Sequence, residues 1–402
     1  MDKKPKRMVP EVRFKGFTDD WEQRKLGEVL TEFQYGLNTP AISFNGIDKY
    51  IRITDIDENT HRFNVDNITS PKETNDDYLL TEGDILFART GASVGKTYIY
   101  NSNDGKIYYA GFLIKGHIRK NYDSRFVFET TLLSRYTNFV KITSIRSGQP
   151  GINANEYKKY TFYTPTLNEQ RLLSTLMQKL EKLLSLQQRK LEQLKQLKKA
   201  MLQRLLVSKK GKLISNIRFK DFTETWEQRK FGDIANRESK QIESTSDIPS
   251  VEYDDIVSNQ GNLNKDISTK KAKKKGIEFN DTNVLYGKLR PYLHNWLNAS
   301  FTGVAVGDWW VLKPVKIRKN FLYYLIQTKK YDNVANLSSG SKMPRSDWNL
   351  VSNTAFSIPN TEEEQEKIGI FLSDLESLIT LHQRKLNQLS KIKKFCLQKM
   401  FI

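Results

Sequence analysis

Adding 195 to the number of each residue on one apolar stripe of this chain lands on a second stripe of the same kind. The first runs Leu173, Met177, Leu180, Leu184, Gln187, Leu191, Leu194, Lys198, Met201, Leu205. The second runs Ile368, Leu372, Leu375, Ile379, His382, Leu386, Leu389, Lys393, Cys396, Met400. Alternating steps of four and three keep each stripe on one face of a helix, the spacing of a seam between paired helices. The polar interruptions fall in matching slots, Gln187 with His382 and Lys198 with Lys393. Matched polar seam residues point to two copies of one rod whose partner and register are specified.

The repetition extends beyond the rods. Arg13-Phe14-Lys15-Gly16-Phe17-Thr18 leads to Trp21-Glu22-Gln23-Arg24-Lys25-Leu26-Gly27, and Arg218-Phe219-Lys220-Asp221-Phe222-Thr223 leads to Trp226-Glu227-Gln228-Arg229-Lys230-Phe231-Gly232. Asp55-Ile56 matches Asp255-Ile256, Asp84 to Phe87 matches Asn283 to Tyr286, Ser147-Gly148 matches Ser339-Gly340, and Gln170 matches Gln365. The order holds while the spacing drifts, as in an old duplication whose loops changed independently. The chain is therefore A-B-A′-B′.

Unit A, about residues 11 to 165, reads as mixed α/β. Short β-rich runs at Tyr50 to Ile53, Asp84 to Ala88, Thr97 to Tyr100 and Phe112 to Ile118 are punctuated by Gly and Asn turns. A helical stretch from Phe126 to Phe139 follows, matched by Phe321 to Tyr331. Pro165 closes the globular part and Thr166 or Asn168 caps the long helix; Pro359 and Thr361 repeat this in the second copy. A helix of about 39 residues would be about 58 Å long at 1.5 Å per residue. That exceeds one turn of B-DNA, about 34 to 36 Å. Ser208-Lys209-Lys210-Gly211-Lys212 reads as a basic linker, with the glycine as a helix stop.

With 65 Lys plus Arg against 46 Asp plus Glu, the formal charge is +19 in 402 residues, which favours a polyanionic partner. The single cysteine, Cys396, excludes an internal disulfide and a cysteine metal cluster, and the four histidines are far apart. A cytoplasmic protein without a structural metal is the expectation. Basic residues near the start are followed by no apolar run, and no stretch approaches a membrane span, so a membrane is not an expected partner.

Catalytic motifs are missing. Gly91-Ala92-Ser93-Val94-Gly95-Lys96-Thr97 resembles a phosphate-binding loop, but only three residues separate its glycines and Tyr98-Ile99-Tyr100 reads as strand. A P-loop needs four, followed by a helix whose first amides hold the phosphates. No Gly-x-Gly, His-Glu-x-x-His or adjacent proline pair occurs, and no serine lies in a Gly-x-Ser-x-Gly elbow, since Gly91-Ala92-Ser93-Val94-Gly95 leads into strand and not into a helix. The composition suits a binder.

In a DNA interface Arg and Lys supply phosphate contacts while a few loop side chains read base edges. Arg89, Lys96, Arg146, Ser147 and Gln149 in the first copy, with Lys288, Arg290, Ser339, Lys342 and Arg345 in the second, lie in or beside the repeated Gly-marked loops. Arg suits guanine and Gln suits adenine, so Arg146 and Gln149 are the natural reading candidates. Lys273, in the Lys270 to Lys275 run, is a phosphate-tracking candidate; a solvated charge run is the alternative. Tyr108, Tyr109, Trp309 and Trp310 read as core rather than as base-stacking platforms, Trp21 and Trp226 as anchors of each globular unit, and Cys396 as a small core residue. Leu173, Leu180, Gln187, Leu194, Lys198, Leu375, His382, Leu389 and Lys393 are the helix-pairing candidates.

The ordered set of Pro10-Glu11-Val12-Arg13-Phe14-Lys15-Gly16-Phe17, Trp21 to Gly27, Gly83 to Arg89, Ser147-Gly148, and Glu169-Gln170 or Glu364-Gln365 before a long Leu-rich helix resembles specificity subunits of type I restriction-modification systems. The resemblance implies α/β (α+β) target-recognition domains at 1–165 and 211–358, alternating with long spacer helices at 166–210 and 359–402 that pair as an antiparallel coiled coil about a pseudo-twofold repeat. It further implies a non-catalytic reader of a bipartite double-stranded DNA target, docking two methyltransferase subunits and restriction/translocase subunits. No cofactor would be bound by this chain, and S-adenosylmethionine, ATP and Mg would belong to those partners. The competing expectations are a basic coiled-coil scaffold with non-specific nucleic-acid binding and, with little motif support, a nuclease acting alone.

Overall fold

The computed structural model describes residues 7–146, 148–206, 215, 217–270, 273–337 and 343–402. The linker 208–212 and the site candidates Ser147, Ser339 and Lys342 lie outside the described residues. The chain forms two compact units, Met1–Leu186 with Leu386–Ile402, and Gln187–Lys385. Each unit combines one globular part with half of each long helix, Leu167–Leu205 and Glu362–Lys399.

In the first unit, Leu30–Tyr35, Leu113–Ile118, Asp84–Ala88 and Thr97–Ile99 form a four-stranded antiparallel sheet in that order. The central Asp84–Ala88 strand is buried throughout, as expected of a strand with neighbours on both edges and cover on both faces. The second unit repeats the order with Ala235–Glu238, Trp309–Pro314, Val284–Gly287 and Trp296–Asn298. Each Trp-Glu-Gln-Arg-Lys segment supplies a strand that pairs antiparallel with the last strand of its globular part, Glu22–Lys25 with Thr161–Thr164 and Glu227–Lys230 with Ala355–Ile358. The strand pair fastens the two ends of each globular part together just before the long helix begins.

The helical stretch expected as one element is two: Ser124–Thr130 and Ser134–Thr143 in the first unit, Lys319–Leu325 and Lys329–Ala335 in the second. Threonine hydroxyls account for the break. Thr130 and Thr131 donate to the carbonyls of Val127 and Phe128, and Thr328 donates to Leu325 while capping the next helix through Tyr331 N.

Trp21 and Trp226 are buried and stand edge-on to the matched Phe126 and Phe321. Tyr108, Tyr109, Trp309 and Trp310 are buried too, so none is a stacking platform for bases. In the first unit Leu173, Met177 and Leu180 join one core with Cys396 and Met400, against which Leu389 packs. In the second, Leu194, Leu202 and Leu205 join Ile368, Leu372 and Leu375. Gln187 meets His382 at 2.7 Å, and Lys198 bonds Glu376 and, at 3.1 Å, Gln327. One helix number rises as the other falls, so the segments run antiparallel. In the first unit Lys393 pairs with Glu181 at 2.7 Å. Glu181 and Glu376 are themselves related by the 195-residue shift, so the two seam lysines make the same bond from opposite copies.

Candidate nucleic-acid interface

The hairpin between Asp84–Ala88 and Thr97–Ile99 carries the sequence that imitates a phosphate loop. No helix follows it: Ala88 N donates to Lys96 O, and Gly95 N to Ala88 O, closing the hairpin loop. Gly95 has φ +87°, and a Cβ there would stand 2.5 Å from a Val140 methyl. A glycine is therefore required by both backbone and space.

This loop is bonded to the segment that precedes the last short helix of the globular part. Gly91 N donates to Pro150 O at 3.0 Å and Ile152 N to Arg89 O at 2.9 Å; Arg89 N also reaches Phe112 O. The second unit repeats the pattern: Arg290 N to Pro344 O at 2.7 Å, Ser346 N to Lys288 O at 2.8 Å, and Lys288 N to Asp308 O. Hydrogen bonding thus makes Arg89 equivalent to Lys288, Gly91 to Arg290, Phe112 to Asp308, Gln149 to Met343 and Gly151 to Arg345. The prolines are retained, and Asn153 and Asp347 each cap the following helix.

Most of the described candidates gather here. Arg89 lies with its guanidinium 4.8 Å from the Tyr35 ring centre, a cation–π contact that aims a partly exposed charge. Gln149 is exposed beside Gly91. Arg146 is held locally, donating to Thr143 O and Ile145 O at 2.9 Å and to Glu156 at 2.5 Å. In the second unit Arg345 and Lys288 share Asp308, at 3.0 and 3.5 Å, and hold its carboxyl below the usual carboxylate range. Arg290 adopts a left-handed conformation, φ 49° and ψ 62°. Its Nε is buried without a hydrogen-bond partner among the described residues.

Two candidates lie elsewhere. The Lys96 ammonium turns inward, 3.1 Å from Ile56 O and 2.6 Å from Glu58, with its side chain 9% exposed. Two lysines of the Lys270 to Lys275 run are committed: Lys270 bonds Asp255 and, at 2.9 Å, Glu252, and Lys274 bonds Glu252 at 2.5 Å. Asp255 is buried and Glu252 partly so. Lys273 and Lys275 remain exposed.

Sequence reasoning passed over an open cleft in the second unit, lined by Lys230, Arg237, Lys288, Lys313 and Trp348. Arg237 stands 4.6 Å over the Trp348 ring. No motif marks this cleft, because its cations stand on three strands and in the loop after a fourth, which only folding brings together. The described residues contain no group of His, Cys, Asp and Glu able to hold a metal ion, and no described helix is long and apolar enough to cross a membrane.

The architecture is that of a duplicated α+β protein with two long helices and one basic loop site per copy. The profile of the type I restriction modification DNA specificity domain matches it twice, at residues 18–196 and 223–391, and the chain belongs to that family. Among solved structures it resembles the S subunit of a type I restriction-modification system from M. genitalium, with a TM-score of 0.67 and 14% identity over 98% of this chain and 99% of that one. It also resembles a chain from a structure solved to explain complex assembly and conformational transition of the type I R-M system, with a TM-score of 0.51 and 15% identity over 94% and 97%. No curated protein sequence matches.

Proposed function

We propose that this chain is the specificity subunit of a type I restriction-modification complex and reads a bipartite double-stranded DNA target, one half per unit. The observation that carries the reading is the duplicated loop pair. Three of its backbone hydrogen bonds recur in both units, while the side chains differ at every equivalent position named above except the prolines. A retained frame with changed side chains suits two readers of unlike half-sites, since phosphate contacts position and base-edge contacts specify.

The helices supply the rest of the reading. Leu183, Leu186 and Ile392 are exposed in the first unit, and Leu378, Leu381 and Leu197 in the second. These are the same three positions under the 195-residue shift. Repeated exposed apolar side chains call for cover, and two like faces suit two like methyltransferase subunits. Restriction/translocase subunits join that assembly. Catalysis, with S-adenosylmethionine, ATP and Mg, belongs to those partners, and the complex works in the cytoplasm.

Co-expression with a type I methyltransferase subunit, followed by genome-wide mapping of adenine methylation, tests this. The expected result is a split motif with a fixed gap that vanishes without this chain. An assembled complex with an active partner and no motif would favour the basic scaffold instead.

A further inference from the structure

Within the loop pair, two residues of the second unit, Arg290 and His294, stand in the left-handed region where the first unit has Gly91 and Gly95. His294 is bound to Asp332 at 2.9 Å, and Arg290 is the one whose side chain has no such partner among the described residues. Gly91 and Arg290 occupy equivalent places, each donating its amide to the carbonyl of a proline, and both have positive φ, +79° and +49°. Glycine adopts that conformation freely, whereas an L side chain is strained in it. The first unit uses the unstrained residue. The second keeps an arginine there, and a residue so held persists only where its surroundings over-determine it.

The surroundings do not explain this arginine as structure. Lys288 and Arg345 beside it are both engaged by Asp308. Arg290 makes no side-chain hydrogen bond or ion pair with any described residue, and its buried Nε is unpaired among them. A cation that is half-buried, uncommitted and mounted on a strained backbone has its partner outside the unit. Beside two further cations, an acceptor-rich polyanion is the fitting partner. A planar guanidinium matches the O6 and N7 acceptors of guanine in the major groove.

Resting on the specificity-subunit reading, we infer that Arg290 reads a guanine in the half-site of the second unit. Gly91 gives no side chain to the corresponding position of the other half-site, where exposed Gln149 lies over it.

The test compares wild type, Arg290→Gly and Arg290→Lys in the complete complex with its methyltransferase subunits. Methylation motifs and thermal unfolding are both measured. Arg290→Gly installs the residue the first unit uses, so the melting temperature holds or rises. Preference for guanine at one position of one half-site falls by roughly five- to 150-fold, the span of a good bidentate pair. The other half-site and the gap stay as they were, and Arg290→Lys, a point charge without the fork, retains only part of the preference. A wild-type motif left intact by Arg290→Gly overturns this inference alone, as does relaxation spread over both halves. A wild-type complex that yields no motif overturns the specificity-subunit reading and this inference with it.

Discussion

In both units an arginine of the opening segment grips a buried glutamate on a long helix: Arg13 with Glu169 and Arg218 with Glu364, each through two bonds of 2.7 to 2.8 Å. One residue further, Gln170 accepts from Asp123 N and donates to Pro165 O, while Gln365 accepts from Arg318 N and donates to Pro359 O. These anchors are nearly identical, whereas the equivalent positions of the loop pairs bearing Gly91 and Arg290 share only their proline. Buried polar groups must be satisfied, so drift there is costly. Loop side chains facing solvent carry no such constraint, and it is there that the two copies diverged.

Between these extremes lies the contact of each globular part with its helix segments. Glu181 meets Lys393 and Arg125, and Arg125 also bonds the fully buried Glu129 at 2.8 Å. Burial pushes the Glu129 carboxyl up despite Arg125; Glu181 is also buried, but Arg125 and Lys393 outweigh that and hold it below the ordinary value. At the equivalent places the second unit has Asn320 and Tyr324, and the Tyr324 hydroxyl donates to Glu376 at 2.9 Å. Beside its seam lysine, the helix glutamate is thus met by an arginine in the first unit and by a tyrosine hydroxyl in the second.

The largest effect should come from exchanging Lys220 to Asn353 for the matching segment of a relative. Methylation mapping should show one half-site rewritten and the other retained; change in both halves breaks the picture of independent units. Next in size, Glu169→Ala and Glu364→Ala should each lower unfolding stability by roughly 3 to 5 kcal/mol, since each strands a partly buried arginine. Glu364→Ala should cost about 1 kcal/mol more. Trp226 Nε1 also donates to Glu364, at 3.2 Å, whereas Trp21 Nε1 has no partner among the described residues. Denaturant midpoints decide this, and equal losses would show that the tryptophan bond contributes nothing. Smallest in stability is the double change Gln187→Leu with His382→Leu. Replacing both partners of a hydrogen bond with apolar groups should shift stability by less than about 1 kcal/mol. Its readout is the gap between half-sites, expected to lose its single value if this pair fixes register; one unchanged gap removes that role.

The duplication, the two seams, the Asp84–Ala88 strand and the buried tryptophans were legible because periodicity and repeated spacing are properties of the chain itself. The Gly-marked loops were legible as repeated landmarks with basic residues beside them. What Lys96 and Lys270 do was not, because Glu58 and Asp255 reach them only after folding. Nor could the sequence say that Lys198 and Lys393 seek Glu376 and Glu181, or split the helix at Thr131, which local hydroxyl bonds decide. The match of Gly91 with Arg290 follows from the same 199-residue shift that pairs Asp84 with Asn283, and the shared backbone bonds to Pro150 and Pro344 show that the two loops keep that register. Sequence alone determined how many copies there are and which faces are apolar, because these follow from local periodicity. Tertiary structure decided which charges are spent inside the fold and which remain for a partner, because pairing depends on distances that only packing sets.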